Sequence, residues 1–349
     1  MISYKPKENL DEHIVIPKGF PGVSSYTKIN VFGCFPAVKM KNTNQVFLGK
    51  WRYEPAVPIV IIVGALFLFI MASIFMLPKF ENEGMIINVV SFFLVLLLIM
   101  SYLQSIIVGP GYFPFFWSEQ NRQHIQSNYN SANQSDDGLM PCNTNYDINQ
   151  SDLDFHDDES PSGIITNNDQ LNWARTRPRP PRSVISSKAG RIIIRPDHFC
   201  DLISSWVGKK NLKFFILFVF YTILCSFLLI IYSSRVILME YRSQGWNWHV
   251  DFLFAIGSLW SGLCFFTICV VVLIVNFRNV SKGYTTLEEM MKIDLKKLDK
   301  GCVNNCEDVF GPIRQIPCWL CPTNPWKSKT NDEIVANYIS YYDNAFFTN

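Results

Sequence analysis

Long uncharged runs are the most regular feature of this sequence. Asp, Glu, Lys and Arg are absent from four stretches, which cover residues 57–77, 85–108, 214–234 and 252–277. An α-helix rises about 1.5 Å per residue, so about 20 apolar residues cross about 30 Å of hydrocarbon. None of the runs carries the polar stripe that is expected of a helix bordering a soluble core. The pattern therefore predicts four transmembrane helices.

The distribution of Lys and Arg predicts the orientation of these helices. Of the 31 basic residues, 28 lie in segments 1–56, 109–213 and 278–349, and three lie in the loops 78–84 and 235–251. Loops rich in Lys and Arg stay in the cytosol. We therefore expect a multi-pass integral membrane protein with both termini in the cytosol. The formal net charge of +2 carries no information on nucleic-acid binding. The sequence shows no basic array interleaved with aromatic residues on a soluble face, so no nucleic-acid partner is expected.

The long middle segment changes composition at residue 171. Residues 119–170 are rich in Asn, Ser, Gln and Asp and hold too few apolar side chains to offset the entropy lost on folding, which predicts a disordered insert. Residues 171–213 contain ten basic residues and two acidic ones. Beside a bilayer, attraction to anionic lipid explains this charge. A site for a phosphate-bearing ligand is the alternative.

Together these patterns predict an all-α membrane protein, with four transmembrane helices and a small irregular cytosolic domain between helices 2 and 3. In order, the chain is expected to contain a cytosolic N-terminal segment, helices 1 and 2, the disordered insert, the small cytosolic domain, helices 3 and 4, and a cytosolic C-terminal segment. These parts span residues 1–56, 57–108, 119–170, 171–213, 214–277 and 278–349.

An acid, a base and a thiol lie close together in the basic segment, at Asp197, His198 and Cys200. A Cys side chain is a strong nucleophile near neutral pH once an imidazole accepts its proton, and a carboxylate can fix the tautomer of that imidazole. Residues two apart do not share a helix face, so the motif predicts an irregular turn. On spacing alone, a solvated loop without a catalytic role is the alternative.

The residues around this triad resemble a known family. The stretch 179–215 resembles, without a gap, the signature domain of the DHHC protein S-acyltransferases. Further motifs follow the order of that family: Gly109-Pro110-Gly111 resembles its Asp-Pro-Gly motif, Thr285-Thr286-Leu287-Glu288 matches its Thr-Thr-x-Glu motif, and residues 299–311 resemble its C-terminal motif with a buried Asn at Asn305. Thr285 and Glu288 also fit a helix capping box.

The resemblance implies a palmitoyltransferase. Such an enzyme moves a palmitoyl or similar fatty acyl group from acyl-CoA through a Cys thioester to cysteines of substrate proteins. Carried over to this chain, the nucleophile is Cys200, its base is His198, and Asp197 orients the base. Palmitoyl-CoA or another fatty acyl-CoA is the expected substrate, and its phosphates need cations. We expect them in the basic segment, at Arg182, Arg191, Lys209 and Lys210.

The resemblance also implies partners and a location. The expected partners are substrate proteins with membrane-proximal cysteines and the lipid bilayer, in the endoplasmic reticulum, the Golgi or the plasma membrane. Residues 44–52 weakly resemble the entrance segment of a subgroup that works with an accessory subunit. That leaves an accessory subunit open as a further partner.

The sequence departs from the family at the metal ligands. The family holds two zinc ions on eight Cys and His residues, and the aligned positions here are Asn172, Arg175, Ile185, Ser186, Ala189, Ile192, Phe199 and Trp206. No zinc is therefore expected, and an apolar cluster with Ile193, Ile194 and Ile203 is expected in its place. Asp201 also adds a negative charge beside Cys200, which opposes thiolate formation. A catalytically inactive membrane adapter derived from the family is the alternative function.

Four cysteines of the C-terminal segment form a second candidate site. Cys302 precedes Cys306 by four residues, and Cys318 precedes Cys321 by three. A tetrahedral zinc ion could use this spacing. Cysteines close to a membrane are also targets of acylation. Zinc binding, lipidation and ordinary buried thiols remain open for these four residues.

Overall fold

The structure is a computed structural model of the 349-residue chain. It describes residues 26–31, 35–40, 46–48, 51–52, 54–113, 180–186, 191–244, 249–293, 295–329, 331–335 and 338. The predicted disordered insert, 119–170, lies outside the described residues. The chain divides into two compact units. The first contains the described parts of 1–49, 112–194 and 330–341, and the second those of 50–111 and 195–329.

Four long helices form the second unit. They are α1 (Ala56–Phe75), α2 (Glu81–Ile107), α3 (Leu212–Gln244) and α4 (Val250–Ser281). Each contains a stretch long and apolar enough to cross a membrane. The prediction of four transmembrane helices with a small domain between the second and third is confirmed. The sequence predicts that this domain is irregular, whereas in the structure it contains short strands.

The last two helices extend beyond the uncharged runs that predicted them. Helix α3 continues from residue 234 to Gln244, and α4 continues from residue 277 to Ser281. Helical hydrogen bonds are local, so a helix continues past the apolar run where its backbone needs no other partner. The charged residues Arg235, Glu240 and Arg242 lie in this extension of α3.

Each end of the helix bundle has its own apolar cluster. At one end, Tyr102 and Ile106 near the end of α2 share a cluster with Phe215 near the start of α3 and Val280 near the end of α4. At the other end, a second cluster contains Met76, Leu77, Phe80, Ile87, Val236 and Ala255. The segments that leave α2, enter α3 and leave α4 therefore meet at the same end of the bundle.

An ion-pair network lies at the second of these ends. Lys79, in the 3-10 turn Leu77–Phe80, pairs with Glu240 of α3 and with Asp251 of α4, the latter at 2.9 Å. Burial works against the charge on Lys79, but the hydrogen bonds to Glu240 and Asp251 raise its pKa above the ordinary value. The network joins the α1–α2 connection to the facing ends of α3 and α4.

The first unit contains two groups of antiparallel strands. Strands β1 (Tyr26–Val31), β2 (Phe35–Met40) and β3 (Val46–Leu48) are successive neighbours. Strand β7 (Arg191–Ile194) lies between β5 (Tyr112–Phe113) and β6 (Ser183–Ser186). The short helix Asn331–Val335 is tied to β5, because the Asn331 side chain donates to the carbonyl oxygen of Tyr112 at 2.9 Å. The short strand β4 (Trp51–Arg52) follows along the chain and belongs to the second unit.

Short elements complete the second unit. Strands β8 (His198–Cys200) and β9 (Ser205–Val207) form an antiparallel hairpin across the 3-10 turn Asp201–Ile203. After α4 come helix α5 (Thr286–Met290) and helix α6 (Cys302–Phe310). The predicted capping box is confirmed, because Thr285 Oγ1 accepts from the Glu288 N–H at 3.3 Å and the Glu288 carboxylate accepts from the Thr285 N–H at 2.8 Å.

Asn305 joins the end of α4 to the C-terminal segment, as a buried side chain at the position that the sequence motif predicts. Its amide donates to the carbonyl oxygen of Ser281 at 3.0 Å and to the carboxylate of Asp299 at 2.7 Å, and its side-chain oxygen accepts from the Lys300 N–H at 3.1 Å. The hydrogen bonds from Gly301 and Asn305 lower the pKa of the Asp299 carboxyl.

Gly283 gives a test of this junction. It has a φ of +76°, and a Cβ at this position would lie 2.6 Å from Asn305 Oδ1 and 2.8 Å from the Leu298 carbonyl oxygen. We expect Gly283→Ala to lower the free energy of unfolding by about 2 kcal/mol or more, because backbone strain and the steric clash act together. Thermal unfolding of the detergent-solubilised protein measures the loss.

Two matched glycines separate the causes. Gly301 has a φ of +87° with nothing within 4 Å of an added Cβ, and Gly257, in α4, has open space around it. Gly301→Ala should therefore show only the strain, at about 1 kcal/mol, and Gly257→Ala should be close to neutral. Equal losses for Gly283→Ala and Gly301→Ala would contradict the role assigned to the Asn305 contact.

Candidate active site

The predicted nucleophile and base lie on one side of a β-strand. His198 and Cys200 are the first and last residues of β8, where the sequence predicted an irregular turn; that expectation is wrong. Alternate residues of a strand point to the same face, so a spacing of two brings imidazole and thiol together. Cys200 is close enough to the His198 ring to contribute to the pKa of that ring. Phe199 lies between them in the strand, and its ring contacts the ring of Trp206 on β9.

Asp197 orients the imidazole. Its Oδ2 lies 2.7 Å from His198 Nδ1. The same carboxylate accepts a hydrogen bond from the Thr286 N–H at 2.8 Å and another from the Thr286 hydroxyl at 3.2 Å. Since Nδ1 is engaged by Asp197, Nε2 is the nitrogen left to face Cys200. The three residues are therefore arranged in the order carboxylate, imidazole, thiol.

The charge on His198 follows from these contacts. Burial opposes protonation of the ring, but the hydrogen bonds and charges of Asp197 and Cys200 raise the pKa of His198 to about 9. At neutral pH the ring therefore carries a proton. A protonated imidazole next to a sulfur stabilises the thiolate, which is the nucleophilic form of cysteine.

Apolar side chains surround the sulfur. Cys200 is buried in the cluster that also contains Leu98 and Tyr102 of α2 and Phe218 of α3. The Tyr102 hydroxyl donates to the carbonyl oxygen of Leu202 at 2.6 Å, which ties α2 to the turn that follows Cys200. The His198 ring contacts the Phe215 ring edge to face, with centroids 5.0 Å apart. The site therefore lies at the end of the bundle where α2 ends and α3 begins.

Thr286 and Asn279 belong to the site but were not predicted from the sequence. The Asn279 side chain donates to the Thr286 hydroxyl at 3.1 Å, and that hydroxyl contacts Asp197. The sequence of the surrounding motif predicts a capping role for Thr285 and Glu288. Thr286, the second threonine of the motif, is not needed for the capping box, and its presence could have indicated a further role.

The predicted cations for CoA have other contacts in the structure. Arg182, Lys209 and Lys210 are buried, and the side chain of Arg191 lies outside the description. The Arg182 guanidinium lies over the Tyr338 ring in the first unit. In the second unit Lys209 pairs with Asp308 at 2.6 Å and lies over the Trp326 ring, 4.1 Å from its centroid. Phosphate binding by these residues remains a prediction.

Asp308 is the shared partner of two buried cations. Arg195 and Lys209 both pair with its carboxylate. Burial disfavours the ionised carboxyl, but the two cations outweigh that effect and lower the pKa of Asp308. Arg195 directly precedes the Pro196-Asp197 step, so this pair attaches the entrance of the site hairpin to helix α6. The contact is structural support for the triad.

The positions that align with zinc ligands hold apolar pairs. Ile185 of β6 is directly opposite Ile192 of β7 in the first unit, and Phe199 of β8 is directly opposite Trp206 of β9 in the second. These four side chains have no atom that ligates zinc, so these positions do not fit the metal. Asn172, Arg175 and Ala189 lie outside the described residues.

Three further residues expected in the apolar cluster are buried. Ile193 and Ile194 lie in β7 of the first unit, and Ile203 belongs to the cluster around Cys200 in the second. In the part of the chain that the structure describes, no group of three or more His, Cys, Asp or Glu side chains is placed to hold a metal ion. Replacement of zinc by cross-strand apolar pairs remains our hypothesis.

Comparison with known proteins gives one consistent result. The sequence profile of the DHHC palmitoyltransferase domain matches residues 165–293. Palmitoyltransferase PFA3 of Candida albicans is 27% identical over 49% of this chain and 45% of its own length. Probable protein S-acyltransferase 13 of Arabidopsis thaliana is 26% identical over 66% of this chain and 69% of its own length. Palmitoyltransferase spe-10 of Caenorhabditis elegans is 28% identical over 44% of each chain. The match thus spans less than half of two of these relatives.

The contact between Asp197 and His198 can be tested by alkylation. Asp197→Asn removes the charge that favours the protonated imidazole, so the pKa of His198 should fall towards its ordinary value near 6.5. The imidazolium–thiolate pair should then be less populated at pH 7, and iodoacetamide should alkylate Cys200 about tenfold more slowly. Mass spectrometry of the tryptic peptide 192–209, which contains Cys200 as its only cysteine, measures the rate.

Asp201 provides the matched control. Its carboxylate is next to Cys200 in the chain, but the residue is exposed and begins the 3-10 turn. Asp201→Asn should leave the alkylation rate of Cys200 unchanged or raise it, because it removes a nearby negative charge. Equal slowing in both variants, at unchanged thermal stability, would rule out a specific role for Asp197.

The apolar pairs predict metal independence. We expect elemental analysis of the purified protein to find well below one zinc ion per chain, and a strong chelator to leave its unfolding temperature unchanged. Each structural zinc would contribute on the order of 10 kcal/mol, so a zinc-dependent fold would respond strongly to chelation. Two zinc ions per chain would overturn the hypothesis.

Proposed function

Because this chain belongs to the DHHC palmitoyltransferase family, we propose that it is a protein S-acyltransferase that carries a fatty acyl group on Cys200. The donor is palmitoyl-CoA or another long-chain acyl-CoA. The acceptor is a cysteine of a substrate protein close to the membrane. One observation carries the proposal: the triad keeps the order Asp197, His198, Cys200 in space, with the sulfur in an apolar cluster between α2 and α3.

The first half-reaction loads the enzyme. Cys200 gives its proton to His198 Nε2, which forms the imidazolium–thiolate pair that the raised pKa of His198 favours, and the thiolate attacks the carbonyl carbon of acyl-CoA. The bond from that carbon to the CoA sulfur breaks as the bond to Cys200 forms, and the departing CoA thiolate takes the proton from His198. One thioester replaces another, so no oxidant, reductant or other energy source is needed.

The second half-reaction transfers the acyl group from Cys200 to the substrate protein. A substrate thiol gives its proton to His198 and attacks the acyl-Cys200 carbonyl, and the bond to Cys200 breaks. The proton returns to the Cys200 sulfur, which restores the starting state. His198 acts as base and then as acid in both halves. That alternation requires a ring held in one tautomer, which is the role we assign to the carboxylate of Asp197.

The position of the site supports a lipid substrate. The sulfur lies at the end of the helix bundle, where a fatty tail can remain among the membrane-spanning helices while its thioester reaches the polar boundary. By the distribution of basic residues, we propose that this end faces the cytosol, where CoA thioesters and cytosolic substrate proteins are found. An accessory subunit remains a proposal that rests on residues 44–52, of which the structure describes 46–48 and 51–52.

The test is chemical. Detergent-solubilised protein incubated with an alkyne-tagged palmitoyl-CoA should acquire a label that hydroxylamine removes, as expected of a thioester. Cys200→Ser should reduce the label on peptide 192–209 to background, a loss of at least tenfold. Cys302→Ser, which changes an exposed cysteine outside the triad, serves as the matched control and should retain the wild-type label on peptide 192–209.

The alternative function predicts the opposite result. If the protein is a membrane adapter, the folded wild-type protein would leave peptide 192–209 unlabelled. That outcome, in protein shown to be monodisperse, would reject acyl transfer through Cys200. Labelling that resists hydroxylamine would reject the thioester.

A further inference from the structure

The segment that follows α6 runs along the start of the third transmembrane helix. Helix α6 ends at Phe310, and the chain continues through a 3-10 turn, Ile313–Cys318. The Lys213 ammonium donates to the carbonyl oxygens of Cys318 at 2.9 Å and Thr323 at 3.0 Å. The Tyr221 hydroxyl donates to the carbonyl oxygen of Leu320. Two side chains of α3 therefore hold the backbone between residues 318 and 323.

These contacts place the segment at the edge of the membrane. Lys213 directly precedes the uncharged run 214–234, and Tyr221 lies seven residues inside it, about 10 Å along the helix axis. The backbone that Tyr221 contacts therefore runs beside the apolar part of α3, deeper in the membrane than Lys213. Backbone carbonyls are tolerated at this depth when protein donors satisfy them, and the oxygens of Cys318 and Leu320 are satisfied in this way.

The outer surface of the segment is apolar. Ile313, Ile316 and Leu320 are 44%, 51% and 57% exposed. Trp319 instead faces inward, where its ring stacks on Phe310 with centroids 5.4 Å apart and its indole N–H donates to the Gly311 carbonyl oxygen. Large exposed apolar side chains that continue the apolar surface of a membrane helix are placed to contact lipid.

Two exposed thiols lie within this apolar surface. Cys318 and Cys321 are both exposed, and the Lys213 ammonium interacts electrostatically with both sulfurs. The other pair of tail cysteines is different. Cys306 is buried, and Cys302, although exposed, is hydrogen-bonded to it. Of these four thiols, Cys318 and Cys321 are the two that combine exposure, a nearby cation and apolar neighbours.

The thiols lie at the same end of α3 as the candidate nucleophile. Lys213, which holds the Cys318 backbone, is two residues from Phe215, whose ring contacts His198. An acyl group on Cys200 and the thiols of Cys318 and Cys321 would thus lie at the same face of the membrane. A fatty chain moved between them would not have to cross the bilayer.

We infer that Cys318 and Cys321 are S-acylated, receiving the fatty acyl group from acyl-Cys200 of the same or a neighbouring copy. The inference rests on the proposed function for its donor. The tail sulfur attacks the acyl-Cys200 carbonyl, the bond to Cys200 breaks, and the proton of the tail thiol passes through His198 to the Cys200 sulfur. The Lys213 ammonium stabilises the negative charge on the attacking sulfur. The acyl chain then lies in lipid beside Ile316 and Leu320 and anchors the segment.

Trypsin separates the cysteines that must be told apart. Cleavage after Lys and Arg, but not between Arg195 and Pro196, gives peptide 192–209 with Cys200, peptide 301–314 with Cys302 and Cys306, and peptide 315–327 with Cys318 and Cys321. The full-length protein is reconstituted in phosphatidylcholine vesicles with alkyne-tagged palmitoyl-CoA, and the hydroxylamine-sensitive label on each peptide is quantified over time.

The inference predicts label on 192–209 first and on 315–327 afterwards, with 301–314 at background. Cys200→Ser should lower the label on 315–327 at least tenfold. The double variant Cys318→Ser, Cys321→Ser should lose that label and keep the one on 192–209, whereas Cys302→Ser should match the wild type. Both thiols that the double variant changes are exposed, so its unfolding temperature should stay close to that of the wild type.

The outcomes distinguish the two proposals. Label on 192–209 without label on 315–327 overturns the tail inference and leaves the proposed function in place. Label on 315–327 that persists at the wild-type rate in Cys200→Ser overturns transfer from Cys200. Label on none of the peptides rejects the proposed function and the tail inference with it.

Discussion

The candidate site depends on the hydrogen bonds of the buried Asp197 carboxylate. This carboxylate is nearly inaccessible to solvent, and a buried carboxylate is costly unless hydrogen bonds compensate it. Two of the compensating donors come from Thr286, 89 residues further along the chain, and the third contact is the ring that it orients. The backbone takes part as well: the Asp197 N–H donates to the Val207 carbonyl oxygen, and its own carbonyl oxygen accepts from the Leu287 N–H. The position of the imidazole is therefore set by a helix outside its own hairpin.

Three of the basic residues next to the start of α3 stabilise the fold. Composition alone favoured attraction to anionic lipid, with a phosphate ligand as the alternative. In the structure, Arg195 and Lys209 are buried and share Asp308, and Lys213 holds the backbone of the C-terminal segment. Removing one member of such a buried group leaves the others uncompensated. These three cations thus connect the hairpin and α3 to the chain that follows α4.

The parts of the structure that depend on local pattern were predictable. Four uncharged runs gave four long helices, and the Thr285 and Glu288 spacing gave the capping box. The β8–β9 hairpin was missed because a three-residue strand has no periodicity to detect, and helical spacing was the wrong test for His198 and Cys200. Thr286 and Asp308 were missed for another reason. Each acts across about 90 residues or more, on Asp197 and on Lys209 and Arg195, and no pattern within one segment records such a partner.

The hairpin also limits which sequence changes the chain tolerates near Cys200. Its two faces have different chemistry: imidazole and thiol on one, phenyl and indole rings on the other. A slip of the pairing by a single position would exchange the faces, because side chains alternate along a strand. Insertions or deletions between residues 197 and 207 would therefore be far more damaging than substitutions, since they would turn the Cys200 thiol towards the side of the aromatic rings. The contact between the Phe199 and Trp206 rings therefore helps to hold the strand register that places His198 and Cys200 on the same face, although neither ring takes part in the proposed chemistry.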